Sequence, residues 1–292
     1  MKPAPFDYVR PGSVDEVCAL LAADEDVRVI AGGQTLVPML AMRLARPVRL
    51  VDILRLPGLS GIRDGGEAIV IGATTRQVDA ERHLLVAAKL PLLAKVLPWV
   101  GHPPTRNRGT VGGSIAHADP AAEIPLVAVT LGADIVTYDG RETTALTADE
   151  FFIGPMLTAV PLGACITAIR LPVWSQSRVG VGFHEVSARR SDFAFVAAAA
   201  QVALDAAGRC TACTIGVGGV GDRPLRLAGA AEGLVGTSLT NADIVDAVTG
   251  EAARLEATSD LHASADYRRR VAGVLAARAL VDARRDAAEK RP

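Results

Sequence analysis

The chain has 292 residues, half of them hydrophobic and 22% charged, which places it among globular proteins larger than one small domain. With 31 Lys and Arg against 32 Asp and Glu, its net charge of -1 lacks the basic excess of a nucleic-acid binder. No run reaches the roughly 18 apolar residues of a membrane span, and prolines and an acid interrupt MKPAPFDYVRPGS where a signal peptide needs an apolar core, so a cytoplasmic location is expected.

In chain order, SVDEVCALLAA (13–23) predicts a helix, with Ser13 as N-cap and Glu16 three residues on completing a capping box. VRVIA (27–31) predicts a strand from its β-branched content. A glycine pair follows. LVPMLAMRLA (36–45) has helical spacing, with Pro38 tolerated in the first turn, and RLVDI (49–53) is a second strand. Residues 1–55 thus form a small α/β unit with parallel strands. EAIVIGATT (67–75) is a strand, LPLLAKVLPWVG (90–101) a helix with breakers, and CITAIRLP (165–172) a strand closed by Pro172. ADIVTYDGRETTAL (133–146) is a hairpin turning at Asp139-Gly140. Residues 56–175 read as a mixed or antiparallel sheet with helices. Residues 176–292 read as a smaller α+β domain: two strands flanking an Ala-rich stretch, then helices, the last from about 267 to 288.

Two short stretches carry the chemistry. AGGQT (31–35) sits where a strand leaves for a helix. Glycine costs stability there, so either a left-handed turn or close approach of an anion to consecutive amides explains it. TVGGS (110–114) lies inside GHPPTRNRGTVGGSIAHADPAAEIP (101–125), where Arg106, Asn107, Arg108, Thr110, Ser114, His117, Asp119 and Glu123 crowd a short segment. Loops of such varied polarity often bind ligands. His102 and His117 lack chelate spacing, so no metal site is expected. Cys210 and Cys213 form one C-x-x-C in an expected strand, where residues three apart face opposite ways, and no second pair completes a metal site. GVGGVG (216–221) fits a dinucleotide fingerprint, but Asp222-Arg223-Pro224 follows in place of a helix, so a glycine-rich crossover is the better reading.

Taken together, VIAGGQTLVPMLAMRL, RNRGTVGGSIAHADPAAEIP and SARRSDFAFVAAAAQVALD resemble the FAD-binding medium subunits of molybdenum hydroxylases, the group that includes carbon monoxide dehydrogenase and the xanthine dehydrogenases. The resemblance runs nearly the full length. It implies an α+β, two-subdomain FAD-binding fold of the vanillyl-alcohol-oxidase (PCMH) type, followed by the smaller C-terminal domain. It implies that Ala31, Gly32, Gly33, Gln34, Thr35 and Leu36 bind the FAD pyrophosphate. Thr110, Gly112, Gly113 and Ser114 would close over the same diphosphate, with Ala116 and His117 near the flavin ring or ribityl chain. Glu123 would help hold the adenosine part, and Ile166 would pack by the isoalloxazine. His184 stands where many relatives have lysine, and a neutral imidazole would stabilise a reduced, anionic flavin less than an ammonium does. Phe193 packs either by the ring or, as its apolar side chain favours, in the core.

The resemblance further implies FAD as the only cofactor of this chain, with a molybdenum-pterin large subunit and a small [2Fe–2S] subunit as partners. The four cysteines do not supply ligands for iron–sulfur clusters. The expected role is electron transfer from the partner's [2Fe–2S] centres through FAD to an external acceptor, in a heterohexamer, with no protein residue acting as acid or base. Two other roles remain open: a free-standing flavoprotein oxidase or dehydrogenase, and a non-catalytic scaffold that kept the fold. Partner dependence and flavin content separate them.

Overall fold

The computed structural model describes residues 2–290. Strands β1 (Asp7–Val9), β2 (Val27–Ile30) and β3 (Arg49–Asp52) form a parallel sheet in the order β1-β3-β2. Helices α1 (Val14–Ala23) and α2 (Leu36–Ala41) make the crossovers. Ser13 caps α1 by accepting the Glu16 amide at 3.2 Å. The expected box is only half made, because the Glu16 carboxylate accepts from Gly12 instead of from the cap residue. Val17, Cys18, Val27, Val51 and Ile53 bury the inner face of this unit.

Strands β4 (Ile62–Asp64), β5 (Ala68–Gly72), β6 (Asp134–Tyr138), β7 (Thr143–Thr147) and β10 (Cys165–Pro172) build a second sheet, antiparallel and ordered β4-β5-β10-β6-β7. Between β5 and β6 run α3 (Gln77–Arg82), α4 (Leu84–Lys89), α5 (Pro91–Val96), α6 (Pro103–Arg108), α7 (Val111–His117) and α8 (Glu123–Leu131). Every residue of α8 from Ile124 to Leu131 is buried, which fits a helix that is apolar all round. Gly132, at φ 68°, ends it with a left-handed cap. The turn at Asp139-Gly140 joins β6 to β7 as its sequence signals. Helix α9 (Ala148–Phe151) and the hairpin β8 (Phe152–Gly154) and β9 (Leu157–Thr158) lead back to β10.

The C-terminal sheet runs β11 (Val179–Ser187), β12 (Ala194–Leu204), β13 (Cys210–Gly218) and β14 (Leu225–Arg226), all antiparallel. Helices α10 (Ala228–Leu234), α11 (Asn241–Ala252) and α12 (Ala265–Glu289) follow. The Ala-rich stretch, which carries no strand signal of its own, is the central strand β12. Small side chains suit it because helices press on both faces of the sheet. A Cβ on Gly182 of β11 would stand 1.8 Å from the Ala279 carbonyl oxygen of α12. A Cβ on Gly216 of β13 would stand 1.9 Å from Thr130 Oγ1 of α8, on the other face. Along β12, Ala197 and Ala199 join the core around α8, while Ala198 and Ala200 join the core around α12.

The C-x-x-C expectation needs correction. Ala203 pairs with Ala212 and Leu204 with Cys210, so Thr211 bulges out of the ladder. One extra residue restores the same side to positions three apart, so Cys210 and Cys213 both turn toward the core around α12, and the Cys210 thiol donates to the Ala212 carbonyl at 3.3 Å. The GVGGVG run ends β13, turns at Gly219 (φ 71°) and continues into β14. No helix of the described residues is long and apolar enough to cross a membrane.

Candidate functional site

The two glycine stretches touch. A Cβ on Gly32 would lie 2.6 Å from the Arg108 carbonyl oxygen and 2.8 Å from Gly109 Cα. Only hydrogen fits between these backbones. Gly33 has φ 71°, the left-handed region that the turn between β2 and α2 requires. The second pair is glycine for other reasons. A Cβ on Gly112 would meet the Ala73 carbonyl oxygen at 2.6 Å, so α7 packs on the end of β5. A Cβ on Gly113 would meet Thr110 Oγ1 at 2.6 Å, and that hydroxyl accepts the Gly113 amide as the cap of α7.

Where the stretches meet, a cavity of about 750 Å³ opens. Ala31, Gly32, Gly33, Gln34, Thr35 and Leu36 line it from one side, and Thr110, Gly112, Gly113, Ser114, Ala116, His117 and Glu123 from another. Ile166 of β10 forms part of the wall. Backbone donors are distributed unevenly. Among the described residues, the amides of Gly32, Gly33, Gln34 and Thr35 donate to no protein acceptor. Those of Val111 and Gly112 are taken by the Thr75 and Ala73 carbonyls, each at 2.9 Å, and those of Gly113 and Ser114 by Thr110. The first turn is thus a nest of open donors, while the second is a close-packed wall. The Gln34 side chain donates to the Gly32 carbonyl at 3.3 Å and braces that turn. Thr35 caps α2 by position only and makes no side-chain capping bond. Gln77 also lines the cavity, and its side-chain oxygen is buried without a partner.

Electrostatics set Glu123 apart. Burial pushes its carboxyl up to about 8; the nearby acids Glu185 and Asp119 add to the rise, and its own amide and Arg106 oppose it. The Cys165 thiol in the wall is pushed up to about 12, mainly by burial, so it is inert. Arg106, part of the polar segment in the sequence, serves structure. It pairs with Glu81 at 2.8 Å and donates to the carbonyls of Val100 (3.1 Å) and Gly101 (3.0 Å), which hold that part of the cavity wall.

Two expectations meet a different geometry. His184 is outside the cavity: its Nε2 lies 2.9 Å from Asp282 Oδ2 of α12, because strand alternation turns it to the helix face of β11. Phe193 is not in the core. It is 69% exposed and stands at the cavity with Ser191 and Asp192, in a turn where Ser191 takes φ 66°. Sequence reasoning also missed Arg28, Gly109, Met156, Val160 and Cys165 as wall residues. Gly109 could have been found from its place in the second stretch. Arg28, in the strand that leads into the first stretch, was as near; Met156, Val160 and Cys165 come from segments remote from both stretches.

The cavity lies within the range of roughly 300–1,000 Å³ typical of ligand pockets, and a glycine cradle with open amides suits a pyrophosphate. Comparison with known proteins agrees. Residues 4–174 match the family described as FAD binding domain in molybdopterin dehydrogenase. Residues 182–283 match the CO dehydrogenase flavoprotein C-terminal domain. The chain is 37% identical over 284 residues to the 6-hydroxypseudooxynicotine dehydrogenase complex subunit alpha of Paenarthrobacter nicotinovorans, covering 97% of this chain and 96% of that one. It is 34% identical to the carbon monoxide dehydrogenase medium chain of Hydrogenophaga pseudoflava, covering 96% and 97%. A solved structure of carbon monoxide dehydrogenase from Hydrogenophaga pseudoflava superposes with a TM-score of 0.94 at 33% identity, covering 98% of this chain and 99% of that one. The chain therefore belongs to the FAD-binding medium subunits of the molybdenum hydroxylases, a family of oxidoreductase subunits.

Proposed function

We propose that this chain is the electron-transfer subunit of a multi-subunit, cytoplasmic molybdenum hydroxylase, taking electrons from [2Fe–2S] centres of a small partner subunit and delivering them to an external acceptor. The large partner would carry the molybdenum-pterin cofactor and the substrate pocket. The carrying observation is the nest of open amides at Gly32 to Thr35, pressed against the second glycine stretch on a cavity large enough for FAD. FAD, when bound, supplies storage for two electrons and exchange of one at a time.

The chain's own residues bind and orient. The Gly32, Gly33, Gln34 and Thr35 amides would hold the pyrophosphate, each charge-assisted bond contributing about 1.5–3 kcal/mol. Thr35 and Ser114 hydroxyls would add donors. Ile166 and Phe193 would pack against the ring, and His117 and Ala116 would flank the ribityl chain. No residue of this chain acts as a catalytic acid or base in this reading. The same reading divides the chain into FAD-binding subdomains 1–55 and 56–175 and a C-terminal domain 176–292.

The test is to produce the chain alone and with its partner subunits, then measure bound flavin and reduction by substrate. Near-stoichiometric FAD and reduction only in the assembled complex are the expected results. Substrate turnover by the isolated chain would favour a free-standing flavoprotein. A complex without flavin, unable to take up added FAD, would sink the assignment.

A further inference from the structure

Strand β12 begins with a bulge. Val186 of β11 pairs with Val196 and Ser187 with Ala194, so Phe195 is left out of the ladder. Its carbonyl takes a donor from far along the chain, Arg268 Nη1 of α12, at 2.5 Å. The same nitrogen donates to the Gly219 carbonyl at 2.6 Å, where the chain leaves β13. Gly219 has φ 71°, and a Cβ on it would stand 2.8 Å from the Phe195 carbonyl oxygen and 3.1 Å from that of Ala194. The bulge and the turn after β13 therefore touch through their backbones, and one guanidinium ties them together.

Both tied segments lead to the cavity. The turn that runs into the bulge places Ser191, Asp192 and Phe193 on the cavity wall. On the other side, the Gly219 amide donates to the Pro120 carbonyl at 2.8 Å, and the neighbours of Pro120, Asp119, Ala121 and Ala122, line the cavity too. Arg268 itself is 5% exposed and sits in the first turn of α12. A cation there opposes the helix dipole, and its Nε is buried without a partner, so helix stability does not account for it. Asp260 neutralises it, with Nη2 2.6 Å from Oδ2. The amides of Ala263 and His262, and then Arg268, hold the Asp260 carboxyl down to about 2, so the pair is ionised in any ordinary assay. The His262 ring stacks on that of Phe195 at 5.5 Å, which closes the Asp260 turn over the bulge.

We propose that Arg268 is a positioning residue for the flavin cavity: by holding the Phe195 and Gly219 carbonyls together it fixes the Ser191–Phe193 turn and the Asp119–Ala122 loop at the separation that FAD needs. The inference rests on the flavin reading. Bulges re-aim the chain beside functional sites, and this one leaves a carbonyl that only a remote donor satisfies. The C-terminal helix thus sets two rims of a cavity whose glycine stretches lie in the first half of the chain.

The test titrates FAD into the assembled, flavin-free complex by flavin fluorescence and follows backbone hydrogen exchange over residues 117–123 and 190–196. Arg268→Met keeps an unbranched chain and removes every donor. It should weaken FAD binding by at least about tenfold, the loss that goes with one hydrogen bond from a charged group. Exchange should quicken in both segments. Arg269→Met is the control, because Arg269 also donates to a carbonyl, that of Leu255 at 2.8 Å, on a segment away from the cavity wall. It should bind FAD as the wild type does. Arg268→Lys covers a methionine variant that fails to assemble: its single nitrogen keeps a charge beside Asp260 and gives up a carbonyl, so the loss should be smaller and of the same sign. Wild-type FAD affinity in either Arg268 variant overturns the proposal. So does weakened affinity with wild-type exchange in both segments, or an equal loss in Arg269→Met. A wild-type complex that takes up no FAD overturns the flavin reading instead, and the exchange data then decide by themselves whether Arg268 holds the two rims.

Discussion

Replacing Gly32 with alanine tests whether the two glycine stretches act as one cradle. The new methyl would lie 2.6 Å from the Arg108 carbonyl oxygen and 2.8 Å from Gly109 Cα, both of them backbone atoms that cannot swing aside. It falls about 0.8 Å short of the 3.4 Å at which ordinary contact begins, so one stretch has to move away from the other. Overpacking of this kind costs about 1–3 kcal/mol. If the strain is relieved by opening the cavity, FAD binding weakens by roughly 5- to 140-fold. Titration of the assembled complex with FAD, with thermal melts alongside, reads this directly. Gly66→Ala is the control: Gly66, unlike Gly32, has a positive φ, of 86°, but nothing lies within 4 Å of its Cβ position. That variant should melt slightly lower and bind FAD normally. A Gly32→Ala complex with wild-type FAD affinity and wild-type melting would refute the reasoning.

Gly182→Ala, whose methyl would collide with Ala279 of α12 at 1.8 Å, should cost at least about 3 kcal/mol and lower the melting temperature by roughly 6–12 °C, with flavin content affected only through lost protein. His184→Lys should leave the flavin midpoint potential unchanged in spectroelectrochemical titration, because His184 pairs with Asp282 away from the cavity; a shifted potential would reinstate it as a flavin neighbour. Arg106→Met strips Glu81 of its partner and the Val100 and Gly101 carbonyls of their donor, and should cost on the order of 3 kcal/mol in denaturant titration. Adding Glu81→Gln should recover part of that loss.

Local signals carried far in this chain. Ser13, Asp139-Gly140 and the β-branched run at 27–30 each mark an element by backbone chemistry that needs no tertiary help. The glycine stretches were legible as a site because each supplies residues of the one cavity wall. What escaped depends on remote contacts. Alanine has no β preference, so the Ala197–Ala200 run is strand through its pairing with β11 and β13 and not through its own side chains. The bulge at Thr211 reverses the facing of Cys213 relative to Cys210, and one extra residue leaves no mark in composition. The same sensitivity to facing separates His184 from Glu185: adjacent in sequence, one meets α12 and the other turns to the side of Phe183, which packs on Trp99. The second glycine pair was read as a lid on a ligand, yet Gly112 and Gly113 are small because Ala73 and Thr110 stand where side chains would go.

The alternation along β12 has a consequence for how the molecule comes apart. Ala197 and Ala199 belong to one core, Ala198 and Ala200 to the other, so a single strand is a party wall between two interiors. Stripping the C-terminal sheet away would lay bare α8 and the floor behind the cavity; unravelling α8 would leave β12 and β13 facing water. Neither half has a finished surface of its own. The molecule should therefore melt in one calorimetric transition, and a cut near residue 175 should leave two pieces that stay together or precipitate, never two soluble domains.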